Sequence, residues 1–478
     1  MITEKIKQGD YEKALEIISG LDDLDYNLYI KPFVMAWIYQ KLGDYEKAYL
    51  TLDILKQEKV FGAIYNFNMA MLKESEGKMD EAKTHYMSAL TNTSGLSLTA
   101  VKIIGRFLKN NGDEGLSEEI RKKYRDINPL INDEVKVTYD NLPEIGYKYA
   151  IAEVYFGFAS IVPLQDMYHS DFATTFYNLS LYMYPEFSLA KMFLADNLTY
   201  ENEINDANAL YLSLGKEDEF YIASRLKLGH NLAKLEKLEE AKKIFEELAW
   251  EYKNIVEPYM ELGDIYRFRG DFKNALKSYD LALKRMDKKH GAYFVILYNK
   301  GICLERLKRW GEAEKVLLEA LSLNPDNPYI LNYLGYCWID RGINFEKSYE
   351  MIKKAFSLAK EDGHIADSLA WAYYLAGDYE KALIYMEYAL SLEPSNSIII
   401  DHLGDIYWEL QRKNEARYQW SKALELNVDL EEKDRINIGK KLKYGKSKNI
   451  PKFKIKEEPK KEVKKEIKPK KSKKVDKK

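Results

Sequence analysis

Two histidine–aspartate pairs are the residues best placed for chemistry. His364 lies three residues before Asp367, and His402 directly follows Asp401, an arrangement that general acid–base catalysis uses. The alternative is a purely structural role, in which both histidines are surface or packing residues with no nucleophile beside them. The sequence contains no G-x-x-x-x-G-K-[ST], G-x-G-x-x-G, H-E-x-x-H or G-x-S-x-G motif. We therefore predict that the protein is not an enzyme.

The two cysteines, Cys303 and Cys337, are too few for a disulfide framework. No C-x-x-C pair or Cys/His cluster has the spacing of a zinc site. We predict buried thiols that act as small hydrophobic side chains, no metal and no cofactor.

Composition and charge separate a body from a tail. The chain has 478 residues, 46% hydrophobic and 31% charged, so it can bury a core. Its net charge is −3, but residues 440–478 carry 19 Lys and 5 acidic residues, which leaves −17 on residues 1–439. An acidic body repels phosphate, so its charge argues against nucleic-acid binding by the body.

Internal repetition is the dominant pattern, and it supplies the elements that must position any site. Small residues inside acidic stretches recur mostly every 34 residues, at Ala14, Ala48, Ala82, Ala173, Ala207, Ala241, Ala275, Ala313, Ser348, Ala382 and Ala416. A second small series lies twelve residues earlier in most repeats, at Ala36, Ala70, Ala195, Gly229, Gly263, Gly301, Ala370 and Gly404.

Each repeat predicts two helices. An aromatic residue follows the first small residue by three positions, as in Tyr266 and Tyr407, and a large residue follows the second by four, as in Phe245 and Trp420. Spacings of three and four place these residues on one helical face. The small residues then let the two helices approach closely.

This pattern resembles the tetratricopeptide-repeat (TPR) family, most clearly in the run LGDIY (403–407) followed by Ala416, Trp420 and Ala423. The resemblance covers about residues 1–430. It implies an all-α fold, an α-solenoid of about 11–12 stacked helix-turn-helix repeats that form a right-handed superhelix with a concave groove.

The repeat phase is lost between Ala82 and Ala173. A degenerate repeat near 97–129 has Leu116 where alanine is expected, and about twenty extra residues follow, including 132–145. We predict four regions. They are an N-terminal array over 1–131 with an incomplete first repeat, an irregular excursion and divergent repeat over 132–190, a C-terminal array over 191–438, and a Lys-rich disordered tail over 439–478.

Residues 331–342, 362–383 and 401–424 read LNYLGYCWIDRG, DGHIADSLAWAYYLAGDYEKAL and DHLGDIYWELQRKNEARYQWSKAL. They resemble the end of proteobacterial envelope-associated TPR proteins, which implies an adaptor role and a secretory leader. The chain has no apolar stretch of about 20 residues, and its start has no signal core. We predict a cytoplasmic protein, with the bacterial periplasm or envelope as the alternative if the natural start lies upstream.

The resemblance also implies that the first helix of each repeat lines the groove. In the last three complete repeats, the positions that point there combine aromatic side chains with Asp, Asn and His. This combination suits an extended basic or neutral peptide of a partner, although the same side chains could simply pack between neighbouring helices. The predicted groove residues are Tyr329, Asn332, Tyr336, His364, Asp367, Trp371, Tyr374, Asp401, Asp405 and Trp408.

The sequence therefore predicts a non-catalytic scaffold or adaptor that binds a partner peptide or protein in this groove. The Lys-rich tail supports an alternative, a nucleic-acid or membrane-surface factor, because lysines attract phosphate and anionic headgroups. The tail could equally bind the acidic repeat body itself. A third possibility is a regulatory subunit that completes an enzyme's site. The partner and the oligomeric state are not specified by the sequence.

Overall fold

A computed structural model of the chain describes residues 1–22, 27–91, 96–127, 146–161, 171–428, 430–447 and 451–455, with side chains left out at 123–127. Within these ranges the secondary structure is twenty-five α-helices and one 3-10 helix, and no strand occurs. The all-α prediction is confirmed. The chain forms two compact units, unit 1 (Met1–Ile265) and unit 2 (from Tyr266 onward).

The helices before residue 265 make up unit 1. They are α1 (Ile2–Gln8), α2 (Tyr11–Ser19), α3 (Asn27–Lys41), α4 (Tyr45–Asp53), α5 (Gly62–Ser75, preceded by the 3-10 helix Lys59–Phe61), α6 (Met79–Ala89), α7 (Leu98–Asn110), α8 (Glu114–Ile127), α9 (Tyr147–Ile161), α10 (Asp171–Met183), α11 (Ser188–Tyr200), α12 (Ile204–Leu212), α13 (Tyr221–Lys234) and α14 (Leu238–Glu251). Helix α15 (Glu257–Phe268) begins in unit 1.

Unit 2 continues the same alternation of first and second helices. Its remaining elements are α16 (Phe272–Arg285), α17 (Tyr293–Arg306), α18 (Trp310–Leu323), α19 (Pro328–Asp340), α20 (Phe345–Leu358), α21 (Gly363–Ala376), α22 (Tyr379–Leu392), α23 (Ser397–Glu409), α24 (Lys413–Leu426) and α25 (Glu432–Tyr444). Counted in chain order, the described helices α1 to α24 make twelve successive pairs, in agreement with the predicted number of repeats.

Glycine–aspartate turns join the two helices of several hairpins. Gly377 has a φ of +82°, a left-handed conformation that glycine adopts without strain, and it ends α21. The carboxylate of Asp378 then accepts a hydrogen bond from the backbone N–H of Lys381 and caps α22. Gly270 and Asp271 start α16 in the same way.

The two series of small residues mark the places where paired helices touch. A Cβ built on Gly404 in α23 would lie 2.5 Å from Nε1 of Trp420 in α24. One built on Gly301 in α17 would lie 2.6 Å from Leu317 in α18. These separations are far inside van der Waals contact, so only glycine fits. The predicted contact between the first small residue and the large residue of the second helix is confirmed.

The degenerate repeat departs from the sequence-based prediction by one position. Ser117, and not Leu116, takes the small-residue place of α8. It is buried, and its hydroxyl donates to the carbonyl oxygen of Gly105 in α7, twelve residues earlier. The serine fits the close helix contact because its Oγ finds a backbone acceptor there, whereas leucine is too large.

Helix α9 lies at the centre of unit 1. Twelve of its fifteen residues are buried. It packs against α3 and α5, which precede it by three and two hairpins, and α10 packs against α1. The predicted boundaries at 131/132 and 190/191 therefore both fall inside unit 1, because the divergent hairpin supplies the core of this unit. The predicted excursion over 132–145 lies outside the described residues.

The boundary predicted at residue 439 stays a prediction, as do the other region boundaries. It falls inside α25, whose Ile438 and Lys441 are buried. Residues 445–447 and 451–455, which we call the docked segment, follow this helix and pack on unit 2. The predicted tail residues 456–478 lie outside the described residues. Among the helices that are described, none is both long and apolar enough to span a bilayer.

Candidate functional site: an acidic and aromatic face of unit 2

The first helices of the last two hairpins, α21 and α23, carry acidic and aromatic side chains at equivalent positions 34 residues apart. Helix α21 carries Asp367, Trp371 and Tyr374, and α23 carries the corresponding residues of the next repeat. Steps of four and three residues keep each trio on one side of its helix. Because α21 and α23 contact each other, the two trios form one surface. We call it the acidic-aromatic face: Asp367, Trp371, Tyr374, Asp401, Asp405 and Trp408.

Both helices begin at well-defined caps, which fixes the register of this face. The side chain of Asp362 accepts from the backbone N–H of Ile365 at the start of α21. The amide oxygen of Asn396 accepts from the backbone N–H groups of Ile398 and Ile399 at the start of α23. Side-chain acceptors at this position satisfy backbone donors that have no partner inside the helix.

The other four predicted groove residues lie outside this face. Tyr329 and Asn332 are in the first half of α19, Tyr336 follows one turn later, and His364 starts α21. Tyr329 and His364 are exposed, whereas Asn332 and Tyr336 are half-buried. The amide oxygen of Asn332 is buried and has no hydrogen-bond partner among the described residues.

An ion pair and a ring stack join the two helices. Nδ1 of His402 lies 2.7 Å from Oδ1 of Asp367, one repeat earlier. The Trp371 ring stacks on His402 at 4.2 Å and on Tyr374 at 4.6 Å between centroids. Burial lowers the pKa of His402, but the charges of Asp367, Asp401 and Asp405 outweigh burial and hold it above its usual value. The imidazole is therefore a packed link between the two repeats.

Asp405 is the most deeply buried carboxylate of the face, with 2% exposure. It accepts from Nε1 of Trp420 at 3.1 Å and pairs with Nζ of Lys441 at 2.9 Å and with Nζ of Lys446. Burial raises the pKa of Asp405, but the two ammonium groups outweigh burial and leave the pKa below its usual value. Asp405 is thus held ionised by lysines of the chain's own C-terminal region.

Asp401 is occupied in the same manner. Both of its oxygens accept from Nζ of Lys441 in α25, at 2.8 and 2.7 Å. Burial and the neighbouring Asp405 raise the pKa of Asp401, and Lys441 partly offsets them. The carboxylates that the sequence predicts as ligands for a partner are therefore already bound by α25.

The docked segment crosses the face immediately after α25. Nζ of Lys446 donates to Oη of Tyr374 at 2.8 Å and lies 4.6 Å from the centroid of the Tyr374 ring and 5.4 Å from that of Trp371. The carbonyl oxygen of Lys446 accepts from Nε1 of Trp408 at 2.7 Å. The face thus contacts both the ammonium group and the backbone carbonyl of Lys446.

The far end of the docked segment packs at the edge of unit 2. The backbone N–H of Lys452 donates to the carbonyl oxygen of Leu375 at 2.7 Å. Phe453, 8% exposed, stacks on Phe345 with centroids 5.4 Å apart and contacts Tyr349. This ring is the main apolar anchor of the segment.

The histidines and cysteines that the sequence offers for chemistry lie in different surroundings. His402 is engaged with Asp367, and His364 is exposed at the start of α21. No group of His, Cys, Asp and Glu among the described residues could hold a metal ion. Cys303 and Cys337 are buried and not disulfide-bonded, and burial raises the pKa of Cys337 to about 12, so this thiol is unreactive.

Sequence reasoning places six of the ten predicted groove residues on this face, but it does not predict which side chains of the C-terminal region pair with them. Lys441, Lys446 and Phe453 were assigned to the tail, and His402 was paired with its neighbour Asp401 instead of Asp367. One signal was available. A single Phe in a Lys-rich run, a few residues after an acidic and aromatic repeat, is the composition of an intrachain ligand.

Comparison with known proteins identifies the repeats. Models of the tetratricopeptide repeat match residues 255–326, 365–396 and 63–93. A TPR repeat-containing protein of Pseudomonas aeruginosa is 33% identical over 110 residues, 23% of this chain and 18% of that protein. The BBSome complex member BBS4 of Bos taurus is 31% identical over 128 residues, 27% of this chain and 23% of that protein. The chain thus spans about a fifth of the length of these curated relatives.

Solved helical-repeat structures also align with most of the chain. The Cut9 and Hcn1 assembly of the anaphase-promoting complex (APC/C) aligns with a TM-score of 0.46 and 14% identity, covering 93% of this chain and 95% of that one. The yeast Tom70 structure aligns with a TM-score of 0.38 and 14% identity, covering 93% and 94%.

Proposed function

This chain belongs to the tetratricopeptide-repeat family, and from that premise we propose that it is a non-catalytic scaffold whose first-helix surface in unit 2 binds an extended segment of a partner protein. Binding would act by holding proteins together, which raises their effective concentration without any bond being made or broken.

One observation carries this proposal: a stretch of polypeptide already lies on the acidic-aromatic face. The face contacts the backbone of the docked segment through Trp408 and contacts a side chain through Tyr374 and Asp405. A surface that donates to a peptide carbonyl and accepts from a lysine has the groups that recognition of an extended peptide requires.

Further contact groups lie beyond the docked segment. Tyr329 in α19 is 53% exposed, and the buried amide oxygen of Asn332 one turn later has no partner among the described residues. Tyrosines at exposed edges supply large contact area with little loss of side-chain freedom.

Site-specific photocrosslinking in cells that produce the protein tests the proposal. A photoreactive phenylalanine derivative replaces Tyr329 on the first helix α19, and in a matched variant it replaces Tyr418, which is 66% exposed on the second helix α24. Both substitutions exchange one exposed aromatic ring for another, so their effects on folding should be equally small.

We expect a discrete crosslinked partner from position 329 and much less of it from position 418. Equal yields from the two positions, or no specific product from position 329, would contradict binding by the first-helix surface. Mass spectrometry of the product names the partner.

The alternative function through the basic tail rests on residues 456–478, which lie outside the described residues, and no described contact favours it. The cytoplasmic location stays a prediction.

A further inference from the structure

The C-terminal region binds unit 2 in two parts that differ in how firmly they are attached. Helix α25 packs against α24 and places Ile438 in the core, and its Lys441 pairs with both Asp401 and Asp405. The docked segment has no regular secondary structure. It touches the face through Lys446, and its far end packs Phe453 against Phe345 at the edge of unit 2.

The site of the Lys446 ammonium group is specific in its chemistry. It combines one buried carboxylate, Asp405, one hydroxyl acceptor, Tyr374, and the two stacked rings of Tyr374 and Trp371. A carboxylate and aromatic faces together attract a cation. These groups together suit a primary ammonium group.

The energetic balance at this site is less favourable for Lys446 than for Lys441. Burial lowers the pKa of Lys446 even with Asp405 beside it. The pKa of Lys441 is raised despite burial, because two carboxylates surround it. When Lys446 leaves, Asp405 remains paired with the ammonium group of Lys441. Release of the docked segment therefore does not leave Asp405 as a buried carboxylate without a cationic partner.

We propose that the docked segment is a displaceable intrachain ligand, and that the Lys446 site accepts a lysine from an extended segment of a partner in its place. The proposal rests on the scaffold function and adds to it the chemistry of the partner, a lysine-bearing peptide, and a mode of regulation by competition within the chain. Displacement leaves α25 and Lys441 in position.

The docked segment competes with a partner for the same site. The apparent affinity for the partner is therefore the intrinsic affinity multiplied by the fraction of molecules in which the site is open. Weakening the docked segment should therefore strengthen binding of a peptide supplied separately. The probe is a fluorescently labelled peptide with the sequence of residues 445–455, GKSKNIPKFKI. Fluorescence anisotropy with the full chain measures its binding at low ionic strength.

The test compares two double variants of the full chain. Lys446→Ala with Phe453→Ala removes both anchors of the docked segment, whereas Lys443→Ala with Lys454→Ala removes two exposed lysines nearby. We expect the first variant to bind the peptide about tenfold or more tightly than the wild type does, and the second to match the wild type. Equal binding by both variants would overturn the proposal.

The ammonium site is tested by changing the peptide and the carboxylate. A peptide acetylated at the position of Lys446 should lose its binding, and so should the anchor-free variant that also carries Asp405→Asn. Retained binding in either case would show that Asp405 and the lysine do not form the site. Circular dichroism and thermal melting establish that each variant is folded.

Hydrogen exchange of the unaltered chain gives a second measurement that needs no variant. The Lys452 amide, bonded to Leu375, should exchange through local opening much faster than the core amides of α21. Equal protection of the Lys452 amide and the α21 amides would mean that the docked segment is a fixed part of the structure. Because the peptide is the chain's own sequence, these outcomes do not depend on whether a partner crosslinks at position 329, and the two proposals fail separately.

Discussion

The two units fill the surface made by their first helices in opposite ways. In unit 1, α9 lies against α3 and α5, and its Phe158 stacks on Phe61 at 4.6 Å and meets Phe33 edge-on at 6.1 Å. In unit 2, an irregular segment meets the first helices through a lysine, with one phenylalanine at the edge. An apolar helix is a permanent part of a core, whereas a polar segment can exchange with solvent or with a partner.

Buried carboxylates show the same contrast. Glu153 of α9 accepts from the backbone N–H and the hydroxyl of Ser97 and from Oη of Tyr149, and burial raises its pKa. Asp405 is paired with two lysines, which hold its pKa low. Uncharged donors of the surrounding core satisfy Glu153 in unit 1, whereas two lysine side chains pair with Asp405 in unit 2.

Truncating the centre of unit 1 should have the largest effect. Phe158→Ala removes a fully buried ring between Phe33 and Phe61, and we expect a loss of about 3–5 kcal/mol in the free energy of unfolding. Denaturant titration measures it, with the exposed Leu50→Ala as the control, expected within about 0.5 kcal/mol of the wild type. If Phe158→Ala lowered the free energy of unfolding no more than Leu50→Ala does, α9 would not be part of the core of unit 1.

Adding a methyl group at the close contact between α23 and α24 in unit 2 should have the next largest effect. Gly404→Ala places a methyl group against Trp420 beside Asp405, and we expect a loss of about 1–3 kcal/mol. The matched change Gly311→Ala in α18 meets open space and should be neutral or stabilising by about 0.5–1 kcal/mol. Similar melting temperatures for the two variants would contradict the close helix contact.

Loss of the apolar anchor of the docked segment should have a smaller effect on global stability. Phe453→Ala frees the far end of the segment, so the loss is limited to the docking free energy, about 1–2 kcal/mol. Limited trypsin digestion should cut residues 445–455 faster than in the wild type, with the exposed Ser447→Ala, which keeps every lysine, as the control. An unchanged cleavage rate would mean that the docked segment, like α9, is a fixed part of the fold.

Salt should act on one unit only. Raising the ionic strength weakens the Lys446–Asp405 attraction, so the Lys452 amide should exchange faster, while the amides of α9 should not change. Hydrogen exchange at two salt concentrations measures both. A change of equal size in the two units would mean that salt acts on the whole chain and not on the docked segment.

The smallest expected effect is a pH dependence at His402. Asp367 from α21 and Asp401 and Asp405 from α23 raise its pKa in the folded state. Its stabilising contribution is therefore complete below the unfolded value of 6.5 and disappears as the pH rises through the folded pKa. His402→Gln should flatten the decline of unit 2 stability above pH 6.5. An unchanged slope would assign that decline to other groups.

Much of the site could be predicted because it repeats. Residues 34 apart occupy equivalent places in stacked hairpins, so the trio on α21 predicts the trio on α23. The pairing of His402 with Asp367 was missed because it joins two repeats, while sequence reasoning paired each histidine with an aspartate of its own repeat. The degenerate repeat was misplaced by one residue, since Leu116 and Ser117 are adjacent and only packing selects the smaller one.

The sequence by itself determined the helices, their pairing and the glycine contacts, because these depend on spacings of three, four and twelve residues within one repeat. Only the tertiary structure decided what covers the first-helix surfaces. Burial of α9 in unit 1 and docking of Lys446 and Phe453 in unit 2 join residues far apart in the chain, through one-time contacts that no repeat spacing encodes. Such contacts depend on which surface remains uncovered after the hairpins have stacked, and that is a property of the folded molecule.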